Sequence, residues 1–291
     1  MNKKILKKGL LISAAAMTAL AFAFDWPQEA ISSDTFFSYF AQLRGGAFET
    51  SLIFRDNSTV KAAEDGVVAA IITEHNNDMG WFESPLGNAV ILVHDDDFST
   101  VYGNIDEESL NPELFEANSV ETGMEFGISG NSGWQNGQSC LEFQVLDLKS
   151  GSSINPRNLM PHMGNELPLE IGRITIKNEE GTSWDLANTR IIPSGRYSIY
   201  MSRQSVAVPY RTKISLNGAS IESIGYDRIK AEDGELCIYG NKAYSCSEIY
   251  PNEDRQLLGV LQLTKGKNTL SITIQDITGA EKKDSYNLDI Y

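Results

Sequence analysis

"GNAVILVHDDDFSTVYGNI", residues 87–105, decides the fold. Its two halves are rich in Val, Ile and aromatic residues and are bounded by Gly, Asn and Asp. Such residues suit a pleated, half-buried backbone, so the stretch predicts two strands joined by an aspartate turn. Asp95, Asp96 and Asp97 also invite a calcium reading, but the glycine and bidentate glutamate of a calcium loop are not at the required offsets. The turn is therefore read as solvated. His94 is read as a strand-end residue bonded to backbone rather than as a ligand. His75 falls in a loop and His162 in a linker, and no pair of histidines has a local metal spacing.

Working outward, "GVVAAIITEH", "MEFGISG" and "CLEFQVLDL" extend the strand pattern across residues 47–148. Upstream, "SSDTFFSYFAQLRGG" (32–46) places Phe36, Phe37, Phe40 and Leu43 at helical spacing. Ser33 or Asp34 can cap that helix and Gly45-Gly46 can end it, so residues 24–46 are read as a short helix and linker. Downstream, "INPRNLMPHMGNELP" (154–168) carries three prolines and no periodicity, which puts a domain junction there, with 161–168 as linker. Residues 169–291 hold further short strands such as "GRYSIYMS", "RTKISLNG" and "NTLSITIQD", separated by turns such as Asn217-Gly218. That spacing suggests a β-sandwich, so the chain is expected to be all-β.

The backbone motifs resemble, in order, the lysostaphin/LytM-type zinc endopeptidases, which cut peptide cross-links in bacterial cell walls. "TVKAAEDGVVAAI" (59–71) is similar to the family's opening hairpin, and 87–105 to its central strand pair. "VETGMEFGISGNSG" (120–133) is similar to its glycine-rich turn, and "SCLEFQV" (139–145) to its last core strand. The resemblance implies a LytM-type β-sheet domain, the duplicated hybrid motif, at 47–160. Residues 263–291 resemble the last strands of bacterial immunoglobulin-like domains, which implies an immunoglobulin-like sandwich over 169–291.

The family's chemistry is missing. Where the resemblance implies a zinc-binding His and Asp four apart, "ETSLIF" gives Glu49 and Ile53. Where it implies a catalytic His, Asn104 stands; where it implies His-x-His, Cys140 and Glu142 stand. Catalytic zinc needs three protein ligands and an open position for water. Ile53 has no lone pair, and two carboxylates alone suit a hard cation better than zinc. Asn104 does not titrate near neutrality, and Cys140 replaces imidazole poorly without a basic neighbour. One such change leaves room for residual activity; five together oppose hydrolysis, and no zinc cofactor is expected. Glu49 and Glu142 are expected to lie together as an acidic groove floor, either sharing a proton or neutralised by a cation from a partner or wall peptide. The bland alternative is that both are partly exposed and contribute nothing.

Lys3, Lys4, Lys7 and Lys8 precede "LLISAAAMTALAFAF", and Ala21-Phe22-Ala23 fits a small-x-small cleavage rule. Residues 1–23 thus read as a secretory signal, with export to the periplasm or cell surface and no membrane span in the mature chain. Losing those four lysines takes the formal net charge from −15 to −19. That acidity argues against nucleic acid or an anionic lipid surface and suits basic protein partners. Export permits disulfides. Cys237 and Cys246 flank a plausible hairpin, "IYGNKAYS", and are expected to bridge. Cys140 is then left over, either a reactive odd thiol or, preferred here, a small buried apolar residue.

Three functions remain open. The first is a non-catalytic envelope protein that binds or regulates wall machinery such as an amidase or an envelope assembly, through a cell-envelope protein or peptidoglycan. The second is an active peptidoglycan endopeptidase. The third is a surface or adhesion module carried by the second half.

Overall fold

The computed structural model describes residues 23–29, 32, 34–73, 85–133, 140–164, 166–204 and 208–291. Residues 1–22 of the expected signal at 1–23, and His75, lie outside the described residues. Strands dominate, and the chain is all-β.

The first half supplies β1 (Phe36–Ser38), β2 (Leu43–Arg44), β3 (Ala47–Phe48), β4 (Leu52–Phe54), β5 (Thr59–Lys61) and β6 (Gly66–Ile72). It continues with β7 (Asn88–Val93), β8 (Phe98–Ile105), β9 (Ser119–Val120), β10 (Glu125–Ile128), β11 (Glu142–Asp147) and β12 (Ser152–Ile154). The opening stretch forms the antiparallel β7–β8 pair at the centre of the sheet order β12-β11-β8-β7-β6-β9. β8 is buried along almost its whole length because both of its faces are covered. Tyr102 at its centre meets Phe126 edge-on at 4.9 Å and Phe143 at 5.1 Å. Its hydroxyl accepts from the Ala63 N–H at 2.8 Å, so its one polar atom is satisfied. Each such buried phenylalanine contributes about 2–3 kcal/mol.

The second half supplies β13 (Ile174–Asn178), β14 (Ser183–Asp185), β15 (Ile191–Ile192), β16 (Gly195–Ser202), β17 (Arg211–Leu216) and β18 (Ala219–Glu232). Then follow β19 (Glu235–Tyr239), β20 (Ala243–Ser245), one helical turn α1 (Cys246–Ile249), β21 (Arg255–Leu263), β22 (Gly266–Gln275) and β23 (Glu281–Ile290). The sheet β14-β13-β16-β21 packs on the order β15-β23-β22-β17-β18. Buried and exposed residues alternate along β16 and β22, as a half-buried strand requires. Ile174, Ile199 and Leu261 of one sheet meet Ile214, Ile272 and Leu288 of the other in one apolar cluster, which makes a β-sandwich.

The two halves are not separate bodies on a tether. β12 pairs antiparallel with β18, so one sheet runs through both. Phe48 and Phe54 share a core with Tyr226, Ile249 and Tyr250. Met160 and Met163, within and beside the expected linker, are buried in that core. Arg228 ties the seam from the outside, donating to Ser150 Oγ at 3.0 Å and Ser152 Oγ at 3.2 Å beside Asp147.

Three expectations are corrected. Residues 34–48 form strands, not a helix. Phe36 and Ser38 are buried while Phe37 is 41 % exposed, a strand alternation, and Ala41 takes a φ of +62° that no helix contains. Pairing of β1 with β4 and packing of Phe36 on Phe54 at 5.2 Å override the helical spacing. Gly45 and Gly46, expected to end the helix, instead take φ of +58° and +84° at the β2–β3 hairpin turn. Residues 59–71 are not a hairpin: β5 pairs with β10, and β6 pairs with β7 and β9. The Cys237–Cys246 bridge is not formed, and all three cysteines are free thiols. Cys237 faces Ser245 in the β19–β20 register, so Cys246 falls one position past its partner and enters α1.

Candidate functional site

The substituted positions converge on β4, β8 and β11. Glu142 stands opposite Ile53 on one side and opposite Gly103 on the other. Asn104 follows Gly103, and its Nδ2 donates to the Cys140 carbonyl at 2.6 Å. The strand registers thus gather Ile53, Asn104, Cys140 and Glu142, although each is distant in sequence from at least one other.

Each side chain is committed to structure. Ile53 is fully buried. Asn104 has φ +63°, a left-handed conformation that asparagine adopts more readily than most residues. Its Oδ1 accepts from the Gly133 N–H at 2.7 Å, its N–H donates to Leu86 O, and its carbonyl accepts from the Gly130 N–H, the last two at 2.6 Å. Asn104 therefore clamps the glycine-rich turn to the start of β11. Gly130 is needed there, since a Cβ would stand 2.6 Å from the Asp106 backbone. Cys140 is fully buried, and burial pushes its thiol up to about 11, against a smaller opposing pull from Asn104. At neutral pH it is a protonated, inert thiol, in line with the buried apolar reading. Glu142, half-buried, accepts from Gln144 Nε2 at 2.9 Å.

Glu49 is 8 % exposed and is satisfied from within the chain. It accepts from the Ser51 N–H at 3.1 Å and from the Ser51 hydroxyl, and Arg44 Nη1 meets its other oxygen at 3.0 Å. Arg44 comes from the β2–β3 hairpin, which is pinned by the second half. Phe48 packs on Tyr250 at 5.8 Å, and the Tyr250 hydroxyl donates to Ala41 O at 3.0 Å. The cation expected from a partner is an arginine of the same chain.

Sequence reading did not find Arg44, because its role depends on a hairpin that the phenylalanine spacing disguised as a helix. It also passed over Glu64. One Glu64 oxygen is buried without a hydrogen-bond partner, and burial, with Asp96, Asp65 and Asp95 nearby, pushes its carboxyl up to about 7.

The remaining histidines are elsewhere. His94 is buried, with Nδ1 at 2.7 Å from Asp65 O and Nε2 at 2.8 Å from Thr100 Oγ1. Asp65 O can only accept, so Nδ1 carries a proton. His162 is exposed. Asp97 sits at φ +66° in the solvated turn and pairs with Lys149. Among the described residues no group of three or more His, Cys, Asp or Glu is arranged to hold a metal. The residues present do not fit zinc: Ile53 offers no lone pair and Glu49 is already engaged by a guanidinium.

The fold and these positions define a peptidase-like β-domain. Residues 50–156 match the model of Peptidase family M23. A second family model, with no functional description, matches residues 168–291. An uncharacterized protein of Treponema pallidum (strain Nichols) is 28% identical over 134 residues, covering 43% of this chain and 88% of that protein. Among solved structures, a zinc-containing peptidase from Vibrio cholerae is similar at 18% identity and a TM-score of 0.33, over 46% of this chain. The match spans 37% of that peptidase's length. The SpoIIQ–SpoIIIAH pore-forming complex is similar at 17% identity and a TM-score of 0.33, over 48% of this chain and 92% of the matched one.

Proposed function

We propose that this chain is an exported, non-catalytic M23-like protein of the bacterial cell envelope, which works by binding a component of the wall machinery or peptidoglycan. The observation that carries the reading is the Arg44–Glu49 ion pair at a position where the family resemblance implies a zinc ligand. A fixed guanidinium there repels a divalent cation and supplies neither an open coordination position nor a titrating base. Ile53 and the Asn104–Cys140 contact support the same reading. The second half is read as immunoglobulin-like, supported by its two packed sheets and by β15 running parallel to the final strand β23. Its seam with the first half favours a joint binding platform over a detachable adhesion module.

The test is elemental analysis of the purified mature protein after zinc incubation and desalting, run beside dye release from purified cell walls. The reading expects no retained zinc and no release. About one zinc per chain, lost in Glu49→Gln or Glu142→Gln, together with dye release, would restore the peptidase reading.

A further inference from the structure

We propose that the groove between the β2–β3 hairpin and the β19–β20 hairpin docks a basic, apolar-anchored segment of a partner protein. The inference deepens the binding role above and rests on it. Gly46, Ala47 and Phe48 form one wall; Leu236, Ser245 and Cys246 form much of the other. The groove encloses about 260 Å³, room for one or two anchoring side chains. Phe48 and Cys246 make a buried apolar floor, while Leu236 is 38 % exposed, an apolar side chain with a face left to cover.

The charge around that apolar floor has one dominant sign. Glu235 lines the groove, and Glu232 and Asp233 sit at the adjoining turn. Among the described residues no lysine or arginine lines it. Arg44, opposite Ala47 on the first wall, is paired with Glu49, Lys242 with Glu248 and Arg203 with Glu253, while Lys230 sits on β18 opposite Cys237. Cys237, next to Leu236, registers the excess: burial first, then Glu232, Glu235, Glu248 and Asp233, push its thiol up. An acidic rim around an apolar floor complements a cationic segment with an apolar anchor. A second copy of this chain, at net charge −15, would bring like charges together. The walls are held before any partner arrives, by the Phe48–Tyr250 contact and the Tyr250–Ala41 hydrogen bond, so binding costs little ordering. Because each half supplies one wall, only the joined chain presents the groove.

The experiment titrates the full mature protein into a fluorescein-labelled octapeptide of alternating Lys and Leu, with a Glu–Leu octapeptide as counterpart. The Lys–Leu peptide is expected to bind and the Glu–Leu peptide not. Glu235→Lys and Leu236→Ser should each weaken binding about tenfold. Ala47→Trp, which fills the groove at an exposed position, should abolish it. Glu179→Lys, an equal charge reversal at an exposed site in the sandwich, should leave it unchanged. Melting curves establish that each variant is folded. No binding by the parent protein overturns the proposal. So does equal loss in Glu179→Lys and Glu235→Lys, which would mean diffuse attraction to an acidic protein, or full binding by Ala47→Trp. Zinc retention and dye release report on the non-catalytic reading separately, so either idea can fail without the other.

Discussion

The two flanks of the altered site have been closed in different ways. On the strand flank, Ile53, Asn104 and Cys140 are neutral and fully buried, joined by packing and hydrogen bonds. On the hairpin flank, the Glu49 carboxyl pairs with the Arg44 guanidinium at 3.0 Å. The first flank has become ordinary core, where a polar group without a partner is expensive. The second is an ionic site in which a carboxylate faces a guanidinium. Burial of neutral groups and internal neutralisation of a carboxylate predict different responses to substitution.

The strand flank should give the largest effect. Ile53→Asp puts a carboxylate into a fully buried, apolar position and should destabilise by about 3–5 kcal/mol or prevent folding, read by denaturant titration. A well-folded Ile53→Asp that retains zinc would break the comparison, since the flank would then be a latent site rather than core. Arg44→Ala should cost less, about 2 kcal/mol, because Arg44 is 27 % exposed and water can reach the orphaned Glu49. Adding Glu49→Gln should recover much of the loss. If the double variant is no more stable than Arg44→Ala, the hairpin flank is held by something other than charge.

How far the sequence could be read follows the same division. The β7–β8 pair and β11 were legible because their apolar residues are local, dense and bounded by turn formers. The segment 34–48 was not, because Phe36, Phe37, Phe40 and Leu43 satisfy a helical spacing whose defeat depends on pairing with β4 and on Tyr250, 209 residues beyond Ala41. The seam was missed for a related reason. Pro156, Pro161 and Pro168 break regular structure, but they do not reveal that Met160 and Met163 are buried in a core that also holds Tyr226, Ile249 and Tyr250 of the second half. Departures from the family pattern are visible as letters, whereas the arginine beside Glu49 is visible only once the hairpin is folded. Asn104 lies between these cases: its departure from the family pattern was plain, but its left-handed backbone and its clamp on the glycine turn were not. Asn104→Ala should cost about 1–2 kcal/mol through lost hydrogen bonds and backbone strain, read by denaturant titration. A cost near zero would mean that the turn holds itself.

Glu64 sharpens the comparison from outside the site, because it is the inverse of Glu49. Glu49 is given a cation and a hydroxyl; Glu64 is given three aspartate neighbours and leaves one oxygen without a partner. Its carboxyl is raised from 4.5 to about 7, burial being the main cause. The folded chain therefore holds a proton that the unfolded chain releases first. The Glu64 contribution is fully present below about pH 4.5 and is lost as pH rises through about 7, so stability should fall across that window. Because the side chain is only partly buried, the effect should be about 1 kcal/mol. Glu64→Gln, neutral at every pH, should flatten the decline and leave the variant more stable than the parent at pH 8, while Glu49→Gln should show no such gain. Equal pH profiles for the parent and Glu64→Gln would mean that water reaches the unpartnered oxygen, and that the two glutamates differ in geometry but not in energy.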